Sequence, residues 1–332
     1  MARRCTNSAR RAICVWRQTM QPSKQLKREL AEAAVAVLFA AVALCVATYA
    51  WYVANNTVTA KTSTISATTN GFILQIATKE QGAQHGGEQS SLAASLEGGK
   101  IAPSSTDNIK DWYVCQGWGS DGKVTSYSKV TFSESGKPGE YGSDNDKHYA
   151  FLKSEFIVYT ISETGFADVY LAPSPDKPIQ VTANGTATTD TIPKSLRVGI
   201  TTQPVGKDGQ SAGEETLRVV YAPYEVSGKG NDSSAIDGWS CISDIKGPAA
   251  PAYPHIEADE LSTWAAIASA DGNDYFAPEN GSPIAEKVGY DGVIVRIYIW
   301  MEGTDADCVN NAAAEDTATY DVSVKFAGVA TS

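Results

Sequence analysis

Histidine is nearly missing from this sequence. His85, His148 and His255 are the only three in 332 residues, and each stands alone. No H-E-x-x-H occurs, and no two cysteines or histidines stand at ligand spacing, which argues against zinc peptidases of that design and against small zinc modules. Cationic side chains are scarce beyond residue 50. The first fifty residues carry a net +6 while the whole chain carries −11, so the remainder holds −17. A body that acidic repels phosphates, so no nucleic-acid partner is expected. Helical text is also rare. Outside one apolar run, only Glu257–Ser269, with Leu261, Trp264, Ala265 and Ala268 at three-to-four spacing, predicts a helix.

That apolar run is "AAVAVLFAAVALCVATYAWYVA", 22 uncharged residues from Ala33 to Ala54. As a helix it would be about 33 Å long, close to the hydrocarbon thickness of a bilayer. Arg3, Arg4, Arg10, Arg11, Arg17, Lys24, Lys27 and Arg28 all precede it. The positive-inside bias keeps such a flank in the cytoplasm and sends everything after Ala54 outside. The expected organisation is a basic cytoplasmic region (1–32), a transmembrane signal or anchor helix (33–54) and an extracellular β-sandwich domain (55–332). The step "TYA" places Thr48 and Ala50 in the small-residue positions before a signal-peptidase cut between Ala50 and Trp51. Retained, the helix would hold the body at the cell membrane; cut, the body would be secreted or enter the extracellular matrix. The partners expected are the membrane, a signal peptidase and other copies of the chain.

The exported part reads as β-structure. "NTVTAKTSTISA" alternates with period two, and "GFILQIAT", "DWYVCQGW", "KVTSYSKVTFS", "YAFLKSEFIVYTIS", "ADVYLAP", "SLRVGITT", "ETLRVVYAPY", "GVIVRIYIWMEG" and "ATYDVSVKFAGV" follow as strand text. Many strands with few helices favour a mostly β fold, a jelly-roll-like sandwich with loop and helix insertions. Residues 79–110, rich in Gly, Gln and Ser, read as a flexible insert, and 205–290 as an insertion-rich region. Gly117, Gly119 and Gly122 spell G-x-G-x-x-G, but strand text rather than a helix follows, so they read as a hairpin turn.

Chemistry is thinly written. Glu302, Asp305 and Asp307 crowd three carboxylates into six residues, which predicts a weak Ca²⁺ site; no other cofactor is expected. Trp112, Tyr113, Trp118, Tyr127 and Trp239 would suit a sugar-stacking platform, or else core packing. Three cysteines lie in the exported part, Cys115, Cys241 and Cys308, which permits one disulfide between two of them and leaves three pairings open. The arm from Asn55 to Thr69, with Val58, Ala60 and Ile65 among few apolar side chains, reads as a strand able to complete the sheet of a neighbouring copy.

Two stretches resemble the TasA/camelysin-type exported proteins, the biofilm-fibre family of Gram-positive bacteria. They are "ATYAWYVANNTVTAKTSTISATTNGFILQIAT" and "GVIVRIYIWMEGTDADCVNNAAAEDTATYDVSVKFAGV". "FLKSEFIVYTISETGFADVYLAP" and "SLRVGITT" read like that family's middle strands. The resemblance implies a jelly-roll domain, a SipW-type signal cut by a dedicated peptidase, and assembly in which one subunit's N-terminal segment completes the next subunit's sheet. Some members carry a metallopeptidase label, but no zinc ligands match here, so no enzymatic activity is expected. The leading expectation is a non-catalytic structural protein of the cell surface or matrix that assembles by β-strand addition. The alternatives are a surface module binding glycans or host ligands, and an extracellular peptidase of camelysin type.

Overall fold

Val293–Met301, apolar in every position but Arg296, forms the longest fully buried strand among the described residues. Every residue from Val293 to Glu302 is buried, as expected of a strand covered on both faces. The computed structural model describes residues 59–69, 74–79, 82–83, 91–95, 101–133, 136–143, 146–161, 163–172, 178–184, 195–206, 209–223, 240–243, 247–257, 266–268, 274–276, 282–309 and 319–331. Residues 1–58, with the apolar run, the Ala50–Trp51 step and Val58, lie outside them. Among the described residues no helix is long and apolar enough to cross a membrane.

The fold is mostly β, with no helical element among the described residues. In chain order the strands are β1 (Thr59–Thr69), β2 (Leu74–Thr78), β3 (Ser91–Ser95), β4 (Pro103–Ser105), β5 (Trp112–Trp118), β6 (Val124–Val130) and β7 (Glu140–Ser143). They continue with β8 (Asp146–Tyr149), β9 (Leu152–Thr160), β10 (Phe166–Leu171), β11 (Ile179–Asn184), β12 (Leu196–Pro204), β13 (Thr216–Ala222) and β14 (Cys241–Ile242). The last are β15 (Pro248–Ala249), β16 (His255–Glu257), β17 (Ala266–Ala268), β18 (Asp274–Phe276), β19 (Ala285–Val288), β20 (Val293–Glu302) and β21 (Thr319–Thr331).

Two large sheets carry most of these strands. One is nine-stranded, with β16, β13, β12, β20, β4, β5 and β6 in order, and β9 and β2 joined through β20. The other is eight-stranded, with β17, β18, β10, β21, β1 and β3 in order, β11 on β21 and β19 on β10. Alternation along the strands decides what each face buries. Val293, Val295, Ile297, Ile299 and Met301 of β20 join Phe156 and Val158 of β9 in the main core, together with Val169 and Leu171 of β10 and Val322, Val324 and Phe326 of β21. The two sheets therefore share one core. Tyr298 and Trp300 point the other way, into a second cluster with Trp112, Val114, Phe151 and Tyr253. There the Trp112 ring lies 4.4 Å from Phe151 and meets Trp300 edge-on at 5.6 Å.

Three readings of the sequence need correction. Of the helix expected over Glu257–Ser269, Ala266–Ala268 is strand instead. Strand β16 opens the stretch and β17 lies near its end, pairing antiparallel with β18, while residues 258–265 lie outside the described ones. Edge pairing with a sheet outweighs a weak local periodicity. The flexible insert does not run to 110: β3 pairs with β1, Ile101 is buried in the main core, and β4 lies against β20. Ile101 and Ile109, eight residues apart and buried in different clusters, were too little apolar text to mark an entry into the core. Within 205–290, β13 pairs antiparallel with Val198–Thr202 of β12 and so belongs to the nine-stranded sheet. By contrast, the glycine triplet is the hairpin turn expected of it: Gly119 N donates to Lys123 O at 2.8 Å, and Gly122 has φ 81° between β5 and β6.

One backbone approach fixes the β7–β8 hairpin against the second cluster. Gly139 has φ +78°, and a Cβ there would stand 2.2 Å from the Phe151 carbonyl oxygen, while Gly139 O accepts from Ala150 N at 2.9 Å. Gly139→Ala must both adopt a disfavoured φ and push Phe151 away, and should cost roughly 1–3 kcal/mol. Equilibrium denaturation checks this; a loss below a few tenths of a kcal/mol contradicts it.

Candidate functional site

The acidic turn after β20 is where the sequence pointed, and the structure folds it inward. Glu302 is fully buried and Asp305 is 3 % exposed. Strand pairing sets Arg197 of β12 opposite Trp300 of β20, so cross-strand neighbours on one face bring its guanidinium to the turn. Arg197 Nη2 donates to Asp305 Oδ2 in a fully buried ion pair. The other oxygen, Oδ1, accepts from Asp307 N at 2.7 Å. Glu302 Oε2 accepts from Trp300 Nε1 at 3.0 Å, and Oε1 accepts from Thr304 N at 3.2 Å. The Thr304 hydroxyl lies 3.0 Å from Oε1 and 2.8 Å from the Ser240 carbonyl. Burial pushes the Glu302 carboxyl up, against hydrogen bonds from Ser105 and Trp300, the Arg197 charge and the Thr304 amide.

Oxygens of Glu302 and Asp305 are thus already taken, and the positive charge beside Asp305 is a guanidinium. Among the described residues no group of three or more His, Cys, Asp or Glu side chains is arranged to hold a metal ion. Ca²⁺ at Glu302, Asp305 and Asp307 is not carried forward. The site closes on itself, and its chemistry is that of a buried polar clasp tying β20, β12 and β4 together. Sequence reasoning missed Arg197, although a lone arginine within "SLRVGITT" was a signal: a buried charge requires a partner.

The other expected residues fall in different places. Trp112 and Tyr113 are 1 % and 5 % exposed, and Trp118 packs against the main core, so these rings are core and not a sugar platform. Trp239 lies outside the described residues. Cys115, Cys241 and Cys308 form no disulfide in this structure. A surface cavity of about 570 Å³ opens where β19 leads into β20, lined by Phe166, Arg218, Lys287 and Tyr290 among others. Phe166 is 45 % exposed there, and Arg218 Nε donates to Thr202 Oγ1 at 2.7 Å.

The N-terminal arm makes the longest strand pairing among the described residues. Strand β1 pairs in parallel with β21 from Thr59↔Thr319 to Thr69↔Gly328, with a register shift between Ala60 and Thr62. Ala60 stands opposite Tyr320, and Ile65 opposite Val324. Its other edge takes β3 in antiparallel register from Thr62↔Ser95 to Ser66↔Ser91. The arm is therefore an interior strand of this chain's own sheet. Backbone groups need partners on both edges, and the chain supplies both itself.

No family model, curated protein or solved structure matches this chain. The resemblance to biofilm-fibre proteins stands on the quoted stretches alone.

The clasp yields a stability prediction. Arg197→Met leaves Asp305 buried beside an uncompensated site and should cost roughly 3–5 kcal/mol. Arg197→Met with Asp305→Leu removes both charges and should recover most of that loss. Chemical denaturation of the two variants checks it; equal stabilities contradict the coupling.

Proposed function

We propose that this chain is an exported, non-catalytic structural protein of the cell surface or extracellular matrix, its body a jelly-roll-like sandwich, and that copies join through the N-terminal arm. The 22-residue apolar run behind a basic flank supports export. Cleavage after Ala50 by a signal peptidase would release the arm; a retained helix would display the body at the membrane. The resemblance to TasA/camelysin-type proteins supports the same reading.

The observation that carries it is the β1–β21 seam. Because β1 is interior, strand addition here means exchange: a neighbour's arm takes the place of the chain's own between β21 and β3. Swapped and unswapped arrangements make the same backbone pairings, so the difference between them is small, which makes exchange a low-cost route to oligomers. Nothing in the seam resists the exchange through a tight turn, since β1 and β21 lie at opposite ends of the body. Between Thr59 and Thr69 the only large apolar residue is Ile65. The arm thus gains little from side-chain burial, and its affinity resides in hydrogen bonds that any equivalent edge offers. A surface binding module remains the second reading, carried by the cavity beside the exposed Phe166.

Two measurements test the proposal. Deleting residues 51–69 should leave particles that no longer grow in light scattering, while the mature protein assembles. A synthetic peptide of residues 55–69, added in excess to intact protein, should cap growth, a readout that does not depend on the deletion variant folding. Assembly undiminished in both cases removes the exchange mechanism.

A further inference from the structure

The sequence leaves three disulfide pairings open; strand alternation, with Cys308 in the main core and Cys241 in the second cluster, favours one. Trp112 and Val114 of β5 face the aromatic cluster that also contains Cys241. Cys115, next along the strand, faces the opposite side. Its cross-strand partner in β6 is Tyr127, and paired residues of an antiparallel ladder share a face. Tyr127 in turn lies against the acidic turn: a Cβ on Gly303 would stand 3.0 Å from Tyr127 Cε1 and 3.2 Å from its hydroxyl. The same turn is held to the hairpin at a second point, where Val309 bridges to Lys123. Cys308 lies between these two attachments, buried in the main core, with Trp118, Val124 and Val309 packed against that core.

The geometry points to a disulfide between Cys115 and Cys308 that fastens the 303–309 turn to the β5–β6 hairpin and leaves Cys241 a thiol. A bulge follows Cys115 directly, since Cys115 pairs with Tyr127 but Gly117 with Ser126. Bulges re-aim the adjacent side chain and bend the strand, here beside the turn that carries Cys308. The electrostatic neighbourhoods agree with this division. Burial raises the Cys308 thiol well above its usual range, with Asp305 and Cys115 next in effect, whereas the neighbours that raise Cys241 are Glu302 and Asp107.

The chemistry is thiol–disulfide exchange with a small-molecule disulfide as oxidant. Cys115, half-buried where Cys308 is 2 % exposed, is the entry point. Its thiolate attacks one sulfur of the reagent, breaking the reagent's S–S bond and expelling one thiolate. Cys308, deprotonated, then attacks the Cys115 sulfur of the mixed disulfide and expels the second. Two electrons pass from the protein sulfurs to the reagent, and the two protein thiol protons end on the two released thiols. Because the Cys308 thiol is raised, the second step should quicken as pH rises.

The test uses the full chain in detergent, incubated with oxidised glutathione at alkaline pH, then denatured, alkylated and digested without reduction. Mass spectrometry should find a linked peptide pair containing Cys115 and Cys308, with Cys241 recovered alkylated. Closing so long a loop should raise Tm by roughly 5–10 °C. Cys115→Ser or Cys308→Ser should abolish both the link and the rise; Cys241→Ser should keep both. A dominant link through Cys241, or Cys115 and Cys308 both recovered alkylated with Tm unchanged, overturns the pairing.

Discussion

Strand β20 is buried on both faces, and that constraint orders most of what surrounds it. A strand in this position has to satisfy two different environments in alternation. Its Val293, Val295, Ile297, Ile299 and Met301 fill the core between the sheets. Its Tyr298 and Trp300 require a cover on the outside, and β5, β13, β14 and the residues around Phe151 and Tyr253 supply it. Laterally β20 pairs with β12 along its length, with β9 over Val293–Ile299 and with β4 at Met301–Glu302. The second cluster is therefore a consequence of the central strand's own sequence.

The charged residues on the outer face follow the same logic. Arg296, 5 % exposed, is paired with Glu155 and Glu215. Burial alone would raise the Glu155 carboxyl, but the Arg296 hydrogen bond and the charges of Lys153, Arg296 and Lys79 bring it down to about 2. At the strand's far end Glu302 and Asp305 meet Arg197. Both arrangements obey one rule: a charge taken out of water is tolerated where donors and a counter-charge are already in place.

Much of this fold was legible in period-two text. The strand candidates from "GFILQIAT" to "ATYDVSVKFAGV" each overlap an observed strand, because alternating or continuous apolar runs bounded by Gly, Pro and Asn seldom read otherwise. What the text hid was long-range. Ile101 and Ile109 bring a Gly- and Ser-rich segment into the core, and no local pattern announces a contact with β20 two hundred residues later. Ala266–Ala268 has helical spacing around it, yet pairs as a strand because β18 offers an edge. The acidic turn was visible as a cluster, but its meaning depended on Arg197, which is brought there by β12–β20 register. The direction of Cys115 was equally unreadable without knowing that Trp112 and Val114 face the outer cluster.

Function enters through the contrast between the two sheets. The nine-stranded sheet is locked by apolar burial on both sides of β20 and by buried ion pairs; the eight-stranded sheet includes an N-terminal strand whose pairings another copy would reproduce in the exchange we propose. Ser66 and Lys325 are Cα partners across the β1–β21 seam, near enough for an engineered disulfide. Mixing a Ser66→Cys chain with a Lys325→Cys chain under assembly conditions, then oxidising and separating without reductant, reads the seam directly. Arm exchange predicts a covalent heterodimer linked through those two positions. A link that forms only when both cysteines are in the same chain, with the mixture remaining monomeric, would contradict it.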